Sequence, residues 1–448
     1  STRGEAPALS FEDVLLTGLA RDGGLTVPET YPRLDTDGLA GLPFDQLAAR
    51  VIAPFTTGSI EADELARLTA SAYRDFGHPA VAPLVQIGPD RFVLELFHGP
   101  TLAFKDVAMR LLARLLDRAL ERRGARATIV GATSGDTGGA AVEAFGGSKR
   151  VDVFVLYPDG RVSEVQRRMM TTAQEDNVHA LAIEGTFDDC QGLVKAMFVD
   201  QAFRDRVRLT GVNSINWARI VAQVTYYFAA AVALGAPARD ISFAVPTGNF
   251  GDVFAGYVAR RMGAPIDRLI IATNANDILV RTHATGVYEV RGVEQTSSPS
   301  MDIQVSSNFE RYLFEATGRN GASVRAMMGS LAQSGCFELG AAAAGAMRTD
   351  FDAARASEAE VAAAIAGVDR ECSYVLDPHT ACGIVALDKL RRDRSGTKVA
   401  LATAHPAKFP DAIERVLGRR PALPSRLAGL MAARERQTVL PKDLATVE

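Results

Sequence analysis

The chain has 448 residues, which is enough for two or three domains that each bury a core. Hydrophobic residues make up 47% of the chain and charged residues 23%, a globular composition that excludes a disordered or fibrous protein. Lys and Arg number 49 against 53 Asp and Glu, and the net charge of -4 gives no support for a nucleic-acid groove.

The sequence also lacks the features of membrane, secreted and metal-binding proteins. No segment approaches the roughly 20 uninterrupted apolar residues that cross a bilayer, and the N-terminal segment has no signal-peptide pattern. The six histidines have no ligand spacing, and the cysteines form no CxxC pair; they are Cys190, Cys336, Cys372 and Cys382. We therefore expect a cytoplasmic protein with reduced thiols, no metal site and no membrane contact.

The first segment of the chain is broken by turn residues. Glycine and proline punctuate it at Gly23, Gly24, Pro28, Pro32 and Pro43. We expect a small N-terminal unit over residues 1–85.

The middle of the chain alternates between helical and strand patterns. Residues 105–123 carry leucines on one helical face, and the run ATIVGA at 127–132 is typical of a buried strand. Further strands are predicted at 151–158, 178–184, 241–246, 269–273 and 399–404, and further helices at 162–173, 188–203 and 247–262. Residues 309–370 have an Ala-rich helical pattern. This alternation predicts an α/β protein in which helices cover parallel sheets.

Three loops that contain glycine lie where a helix is predicted to begin. They are FHGPTLAFKD (97–106), GATSGDTGG (131–139) and PTGNFGD (246–252), and none is a GxxxxGK[ST] or GxGxxG motif. Unpaired N–H groups at a helix start attract anions, so three such loops favour a ligand with phosphate or carboxylate groups. The alternative is a plain turn in which Asp136 or Asp252 caps the helix.

Lys105 stands beside a Gly-Pro turn, just where an apolar helix begins. Its amine could project into a cleft and act as a Schiff-base nucleophile. The alternative is a solvated lysine in the first turn of the helix.

Six motifs together resemble the threonine synthase family, in its fungal and bacterial branch. They are FHGPTLAFKD, SGDTGGAA, NSINWARI (213–220), PTGNFGD, DPHTACG (377–383) and TAHPAKF (403–409). The resemblance implies the type II pyridoxal phosphate fold, which is tryptophan synthase β-like, with two α/β domains around a cofactor cleft and a small N-terminal domain. It implies a large cofactor domain over 86–126 and 217–448 and a small mobile domain over 127–216.

The resemblance also implies a set of cofactor residues. Lys105 would hold pyridoxal 5'-phosphate through a Schiff base, and Thr403 would face the pyridine nitrogen, where a hydroxyl suits a neutral ring. The cofactor phosphate would lie against Gly248, Asn249, Phe250, Gly251 and Asp252. Because a carboxylate repels phosphate, we expect Asp252 to bind backbone or side-chain donors instead.

Two further groups of residues match the substrate sites of the family. Ser134, Asp136 and Thr137 would receive the substrate carboxylate, and Asn213, Ser214 and Arg219 would receive its phosphate. The alternative for Arg219 is a surface arginine in a salt bridge. His98, His379 and His405 have motif positions, but a lysine already provides a base, so we expect structural roles for all three.

The reaction that the resemblance implies converts O-phospho-L-homoserine and water to L-threonine and phosphate, the last step of threonine biosynthesis. One alternative is a serine or threonine dehydratase-like lyase, which would have no substrate phosphate to bind. Another is a threonine-synthase-like binding protein without turnover. The sequence leaves open whether the chain acts as a monomer or a homodimer.

Overall fold

The computed structural model describes residues 1–390 and 396–448. The strands β1 to β13 are Leu84–Gln86, Arg91–Glu95, Ala127–Ala132, Val151–Pro158, Val178–Glu184, Leu209–Thr210, Ile241–Pro246, Ile266–Thr273, Val287–Glu289, Cys336–Glu338, Phe351–Arg355, Thr397–Ala402 and Thr438–Pro441. The helices α1 to α9 are Phe11–Thr17, Phe44–Thr56, Ala62–Tyr73, Lys105–Arg122, Asp136–Phe145, Glu164–Thr171, Phe187–Val199, Gln201–Val207 and Trp217–Ala233. The helices α10 to α18 are Gly251–Met262, Ile278–Thr285, Phe309–Ala316, Gly321–Ser334, Ala341–Asp350, Glu358–Cys372, Pro378–Leu390, Pro410–Leu417 and Leu444–Val447. Short 3₁₀ helices span Pro299–Met301, Pro406–Lys408, Ser425–Leu427 and Leu430–Ala432.

The larger sheet has the strand order β1-β2-β12-β7-β8-β11. All its pairs are parallel except β1 with β2, which forms an antiparallel edge. Helix α10 packs on this sheet at β8, and α16 packs against β7, β8, β11 and β12. Strands covered on both faces bury apolar side chains such as Phe243, Val245 and Ile271, all 0% exposed. The predicted α/β class with parallel sheets is confirmed.

The smaller sheet has the order β13-β5-β4-β3-β6, and its pairs are all parallel. Its edge strand β13 comes from the C-terminal end of the chain. The segment before β13 also binds the same unit, because Arg436 N–H donates to the Thr171 carbonyl and Glu435 accepts from the Thr171 hydroxyl at 2.6 Å. The C-terminal segment therefore belongs to this sheet in space, although the predicted small domain covers only 127–216.

The N-terminal helices pack onto the larger unit. Helix α2 packs against α3 and α9, and α3 packs against α4. Leu47, Val51 and Ile52 of α2 are buried in the same apolar cluster as Leu111 of α4 and Val224 of α9. The core of the first segment is thus continuous with the core under these two helices. Within the described residues, we find no helix long and apolar enough to span a membrane.

Two of the differences between the structure and the sequence predictions concern regions that were predicted to be helical. The predicted helix over 188–203 is two helices, because Asp200 adopts an extended conformation and its side chain caps α8 by accepting from the N–H of Phe203. The Ala-rich region over 309–370 contains the short strands β10 and β11, and β11 joins the larger sheet beside β8. Both differences come from local capping and sheet pairing that an apolar period does not reveal.

Candidate active site

Lys105 lies where the loop after β2 meets the first turn of α4. This loop is bound to the segment after β12. The N–H of Phe104 donates to the carbonyl of Thr403 at 2.8 Å, and the N–H of His405 donates to the carbonyl of Leu102 at 3.0 Å. The Lys105 side chain is only 12% exposed. The alternative of a solvated first-turn lysine is therefore wrong.

The glycine loop between β3 and α5 is ordered by the hydroxyl of Thr133. This oxygen accepts from the N–H groups of Gly135 at 2.9 Å and Gly138 at 2.8 Å. Gly135 has a φ of 126°, and a Cβ there would lie 2.5 Å from the side chain of Gln166. Gly135 is the N-cap of α5 and Asp136 is its first residue, so the Asp136 carboxylate does not cap this helix.

Asp136 is 3% exposed and has four polar neighbours. Its Oδ1 accepts from Nζ of Lys408 at 2.6 Å and from Nε2 of Gln166 at 2.9 Å. Its Oδ2 accepts from the hydroxyl of Ser300 at 3.2 Å and lies 3.6 Å from Nζ of Lys105. The carboxylate therefore joins the helix start at α5 to the lysine at the start of α4.

The neighbouring charges determine the protonation states of Asp136 and Lys105. Burial would raise the pKa of Asp136, but the nearby Lys408 and Lys105 outweigh it and lower that pKa below its usual range. Burial lowers the pKa of the Lys105 amine, Asp136 opposes this, and Lys408 and Arg219 lower it further. More of the Lys105 amine is therefore neutral than in an exposed lysine, and the neutral amine is the nucleophilic form.

The loop between β7 and α10 is a second tight turn at a helix start. A Cβ at Gly248 would lie 2.8 Å from the carbonyl of Ser300, and Phe250 has a φ of 63°, so the backbone is tightly constrained here. Helix α10 starts at Gly251, and its first N–H groups have no partners within the helix. Asn249 is exposed at the tip of the loop. The geometry suits a phosphate at the N-terminus of α10.

Asp252 does not cap α10, because the N-cap is Phe250. Its Oδ1 accepts from the hydroxyls of Tyr226 at 2.5 Å and Tyr227 at 2.9 Å, which agrees with the expected side-chain donors. Its Oδ2 is buried and has no hydrogen-bond partner among the described residues. Burial raises the pKa of Asp252 to about 6, although both tyrosines and Lys105 lower it.

Arg219 lies in the first turn of α9 and is 2% exposed. One guanidinium nitrogen donates to the carbonyl of Val212 at 3.2 Å, while Nε is buried without a partner in the described part of the chain. Burial lowers the pKa of Arg219 to about 10. The alternative of a salt-bridged surface arginine is wrong, and a buried guanidinium with a free N–H can bind an anion.

The other predicted substrate residues lie at the loop surfaces. Ser134 and Thr137 are half-buried beside Asp136, Ser214 is half-buried, and Asn213 is exposed. The structure therefore brings the buried charges of the site together, and it leaves the predicted hydroxyl and amide donors accessible.

The motif histidines are engaged within the protein. His379 Nδ1 lies 2.7 Å from a carboxylate oxygen of Asp377, and its Nε2 accepts from the N–H of Ser300 at 3.2 Å. His405 Nδ1 accepts from the N–H of Ala407, and burial lowers the pKa of His405 to about 4. These contacts agree with structural roles for both.

Lys408 is a site residue that the sequence analysis did not identify. It is 1% exposed, and its Nζ donates to the carbonyl of Thr101 at 2.8 Å as well as to Asp136. The TAHPAKF motif contains this lysine, and lysines are almost never fully buried unless paired. The apolar and proline residues around Lys408 in the sequence could have indicated that this lysine is buried.

Comparison with known proteins identifies the family. Models described as "Threonine synthase N terminus", "Pyridoxal-phosphate dependent enzyme" and "Threonine synthase, C-terminal" match residues 1–73, 83–349 and 380–448. A threonine synthase of Pseudomonas aeruginosa is 53% identical, with 100% of this chain and 96% of the relative covered. The chain belongs to the threonine synthase family.

Solved structures of threonine synthases have the same fold. The PLP-bound threonine synthase from Brucella melitensis has a TM-score of 0.96 and 58% identity, covering 99% of this chain and 96% of that one. The yeast threonine synthase has a TM-score of 0.94 and 39% identity, with the same coverage. The chain is thus a pyridoxal phosphate-dependent lyase of fold type II. The buried Lys105 amine and the tight turn at Gly248 fit that cofactor, since one suits its aldehyde and the other its phosphate.

Proposed function

We propose that the protein converts O-phospho-L-homoserine and water to L-threonine and inorganic phosphate. The observation that carries this proposal is a buried lysine amine, Lys105, flanked by two helix starts that can accept anions. One helix start lies within the motif at 131–139, and the other lies within the motif at 246–252. A phosphorylated amino acid and a phosphorylated cofactor both need anion-binding sites of this kind.

We assign the cofactor to one side of the cleft. Lys105 would hold its aldehyde carbon, and the hydroxyl of Thr403, a 5% exposed residue directly after β12, would bond the ring nitrogen. The phosphate would be bound by the turn formed by Gly248, Asn249, Phe250, Gly251 and Asp252. Here the N–H groups would contact the phosphate, while the Asp252 carboxylate holds the turn through its hydrogen bonds with Tyr226 and Tyr227. Bound pyridoxal phosphate withdraws electrons from the substrate carbons near the amine.

We assign the substrate anions to the two remaining donor sets. Ser134 and Thr137 offer hydroxyls for the carboxylate at the start of α5, beside the ionised Asp136. The partner-free Nε of Arg219 offers a charged donor for the leaving phosphate, and Asn213 and Ser214 would line the same path. A lyase that acts on serine or threonine has no phosphate for this guanidinium, so the buried Arg219 favours the phosphorylated substrate.

Lys105 would then move protons. With its amine free, Nζ of Lys105 would serve as the base at the substrate α-carbon. It would have to give up that proton before it could take the second one, from the β-carbon, for phosphate to leave from the γ-carbon. Closure of the smaller unit, 127–216, over the cleft would keep water out until it adds at the β-carbon. We place this chemistry in the cytoplasm, where the four cysteines, all free in the structure, would stay reduced.

The test supplies O-phospho-L-homoserine to the cofactor-loaded protein and measures phosphate and threonine in the same reaction. Equal amounts of both products are expected. The Lys105→Ala variant should lose both products and the yellow colour of the lysine–cofactor Schiff base. Phosphate without threonine would contradict the proposal, and so would a protein that binds the substrate and releases neither product.

A further inference from the structure

An aspartate stands in the loop that we assign to the substrate carboxylate. Two carboxylates a few Å apart repel each other, so Asp136 alone would weaken the binding of that anion. The structure places Nζ of Lys408 at 2.6 Å from Oδ1 of Asp136, with side chains 1% and 4% exposed. The aspartate is therefore half of a buried ion pair.

Lys408 is held in place by three parts of the chain. Its ammonium donates to the carbonyl of Thr101, in the loop before Lys105, at 2.8 Å. Its own carbonyl accepts from the hydroxyl of Ser163, the N-cap of α6, at 2.9 Å. Its N–H donates to the carbonyl of His405 at 3.0 Å. These contacts fix the position of the Lys408 ammonium group beside Asp136.

The same ion pair faces the reactive amine. The charged groups around Lys105 are Asp136 from α5, Lys408 from the 3₁₀ helix after β12 and Arg219 from α9. Asp252 of α10 also interacts electrostatically with Lys105. An unpaired Asp136 at 3.6 Å would hold a proton on Lys105, and a protonated amine can neither attack an aldehyde nor accept a proton.

We propose that Lys408 is a positioning residue that neutralises Asp136 and thereby keeps the Lys105 amine available as nucleophile and base. The inference rests on the proposed function only in naming Lys105 as the reactive amine. Lys408 acts through Asp136, so it needs no contact with the cofactor or the substrate. The charge balance of the pair, rather than the hydrogen bond alone, is what this role requires.

The first measurement is the titration of the Lys105 amine in the cofactor-free full-length protein. A trace of acetic anhydride labels neutral amines across a pH series, and peptide mass spectrometry quantifies the label on Lys105. In Lys408→Met we expect the midpoint to rise by about one pH unit, which is a tenfold smaller neutral fraction below the midpoint. The double variant Lys408→Met/Asp136→Asn should return near the wild-type midpoint. An unchanged midpoint in Lys408→Met would overturn the proposal.

A matched control is available at the opposite end of β12. Lys398 is 7% exposed and pairs with Asp90 at 2.7 Å, so Lys398→Met breaks a buried ion pair away from the site. This variant should leave the Lys105 midpoint unchanged. If Lys398→Met moved it equally, general loosening of the protein would explain the shift and the proposal would fail.

A second pair of variants covers the case in which Lys408→Met does not fold. Asp136→Asn leaves the Lys408 charge in place and should lower the Lys105 midpoint below that of the double variant. Equal midpoints in these two proteins would overturn the inference. Failure of the proposed function would look different, because the wild-type protein would then form no threonine whatever the Lys105 titration.

Discussion

The amine of Lys105 lies 3.6 Å from a carboxylate oxygen of Asp136, and the two residues start different helices. Lys105 begins α4, which follows β2 of the larger sheet in the chain, and Asp136 begins α5, which packs on β4 of the smaller sheet. The contact therefore joins the two sheet units at the site. Any movement of one unit against the other changes the charge that Lys105 experiences.

Asp252 should make stability depend on pH. Because its pKa in the folded protein, about 6, exceeds the ordinary aspartate value, the folded state binds more protons than the unfolded chain between about pH 4 and pH 6. The free energy of unfolding should therefore fall by up to about 3 kcal/mol as pH rises through this window. Asp252→Asn keeps an acceptor for the tyrosines and should remove that slope. Urea unfolding of the cofactor-free proteins at several pH values measures this pH dependence. If the free energy of unfolding changes with pH equally in the wild type and in Asp252→Asn, the prediction is wrong.

Arg219 should contribute mainly to binding of the substrate phosphate. Arg219→Lys keeps the charge but loses the planar donor pair, and we expect kcat/KM to fall by about 10- to 100-fold, mostly through KM. Inhibition by inorganic phosphate should weaken in parallel. Arg118→Lys is the matched control, because Arg118 is also buried but pairs with Glu12 and Glu64 near the C-terminal end of α4. If both variants had equal effects, the assignment of Arg219 to binding of the substrate phosphate would be wrong.

Gly248 should be intolerant of a side chain. A Cβ would lie 2.8 Å from the backbone carbonyl of Ser300, and backbone cannot move aside as a flexible side chain can. Gly248→Ala should cost about 1 to 3 kcal/mol of stability and weaken binding of pyridoxal phosphate. Gly345→Ala, in a helix with open space around it, should not destabilise the protein. Thermal unfolding and cofactor titration of both variants test this, and normal cofactor binding by Gly248→Ala would count against the assigned turn.

Thr403 should act through its hydroxyl. Thr403→Val keeps the shape and removes the hydrogen bond, so we expect cofactor affinity to fall by about 2- to 10-fold. Thr403→Ser keeps the hydroxyl and should bind the cofactor nearly as the wild type does. Fluorescence titration with pyridoxal phosphate compares the two, and equal affinities in Val and Ser variants would show that the hydroxyl makes no contact with the ring.

Regular elements with strong apolar patterns were predictable from the sequence. The strands Ala127–Ala132, Val151–Pro158 and Ile241–Pro246 have the predicted bounds, because each is a short apolar run between turn residues. Helix α4 also begins at the predicted residue, Lys105. Strand β11 was missed because its residues Phe351–Arg355 include exposed and polar positions, and only pairing with β8 makes them a strand.

The candidate site was predictable to the extent that its residues stand in the motifs that resemble threonine synthase. Lys105, Asp136, Arg219 and Asp252 were all identified in that way. The structure buries the last three and leaves the Lys105 side chain 12% exposed. Their partners were not identified. Tyr226 and Tyr227 lie on α9, and in the sequence they are indistinguishable from other residues of an apolar helix.

Local sequence pattern was thus enough to determine the α/β class, the alternation of strands and helices, and the lysine and loops that resemble threonine synthase. Tertiary structure alone decided which charges meet. Lys408 reaches Asp136 across most of the chain length, and β13 returns from the C-terminal end to the smaller sheet. Such pairings depend on distances between elements remote in sequence, and the periodicity of any one segment carries no information about them.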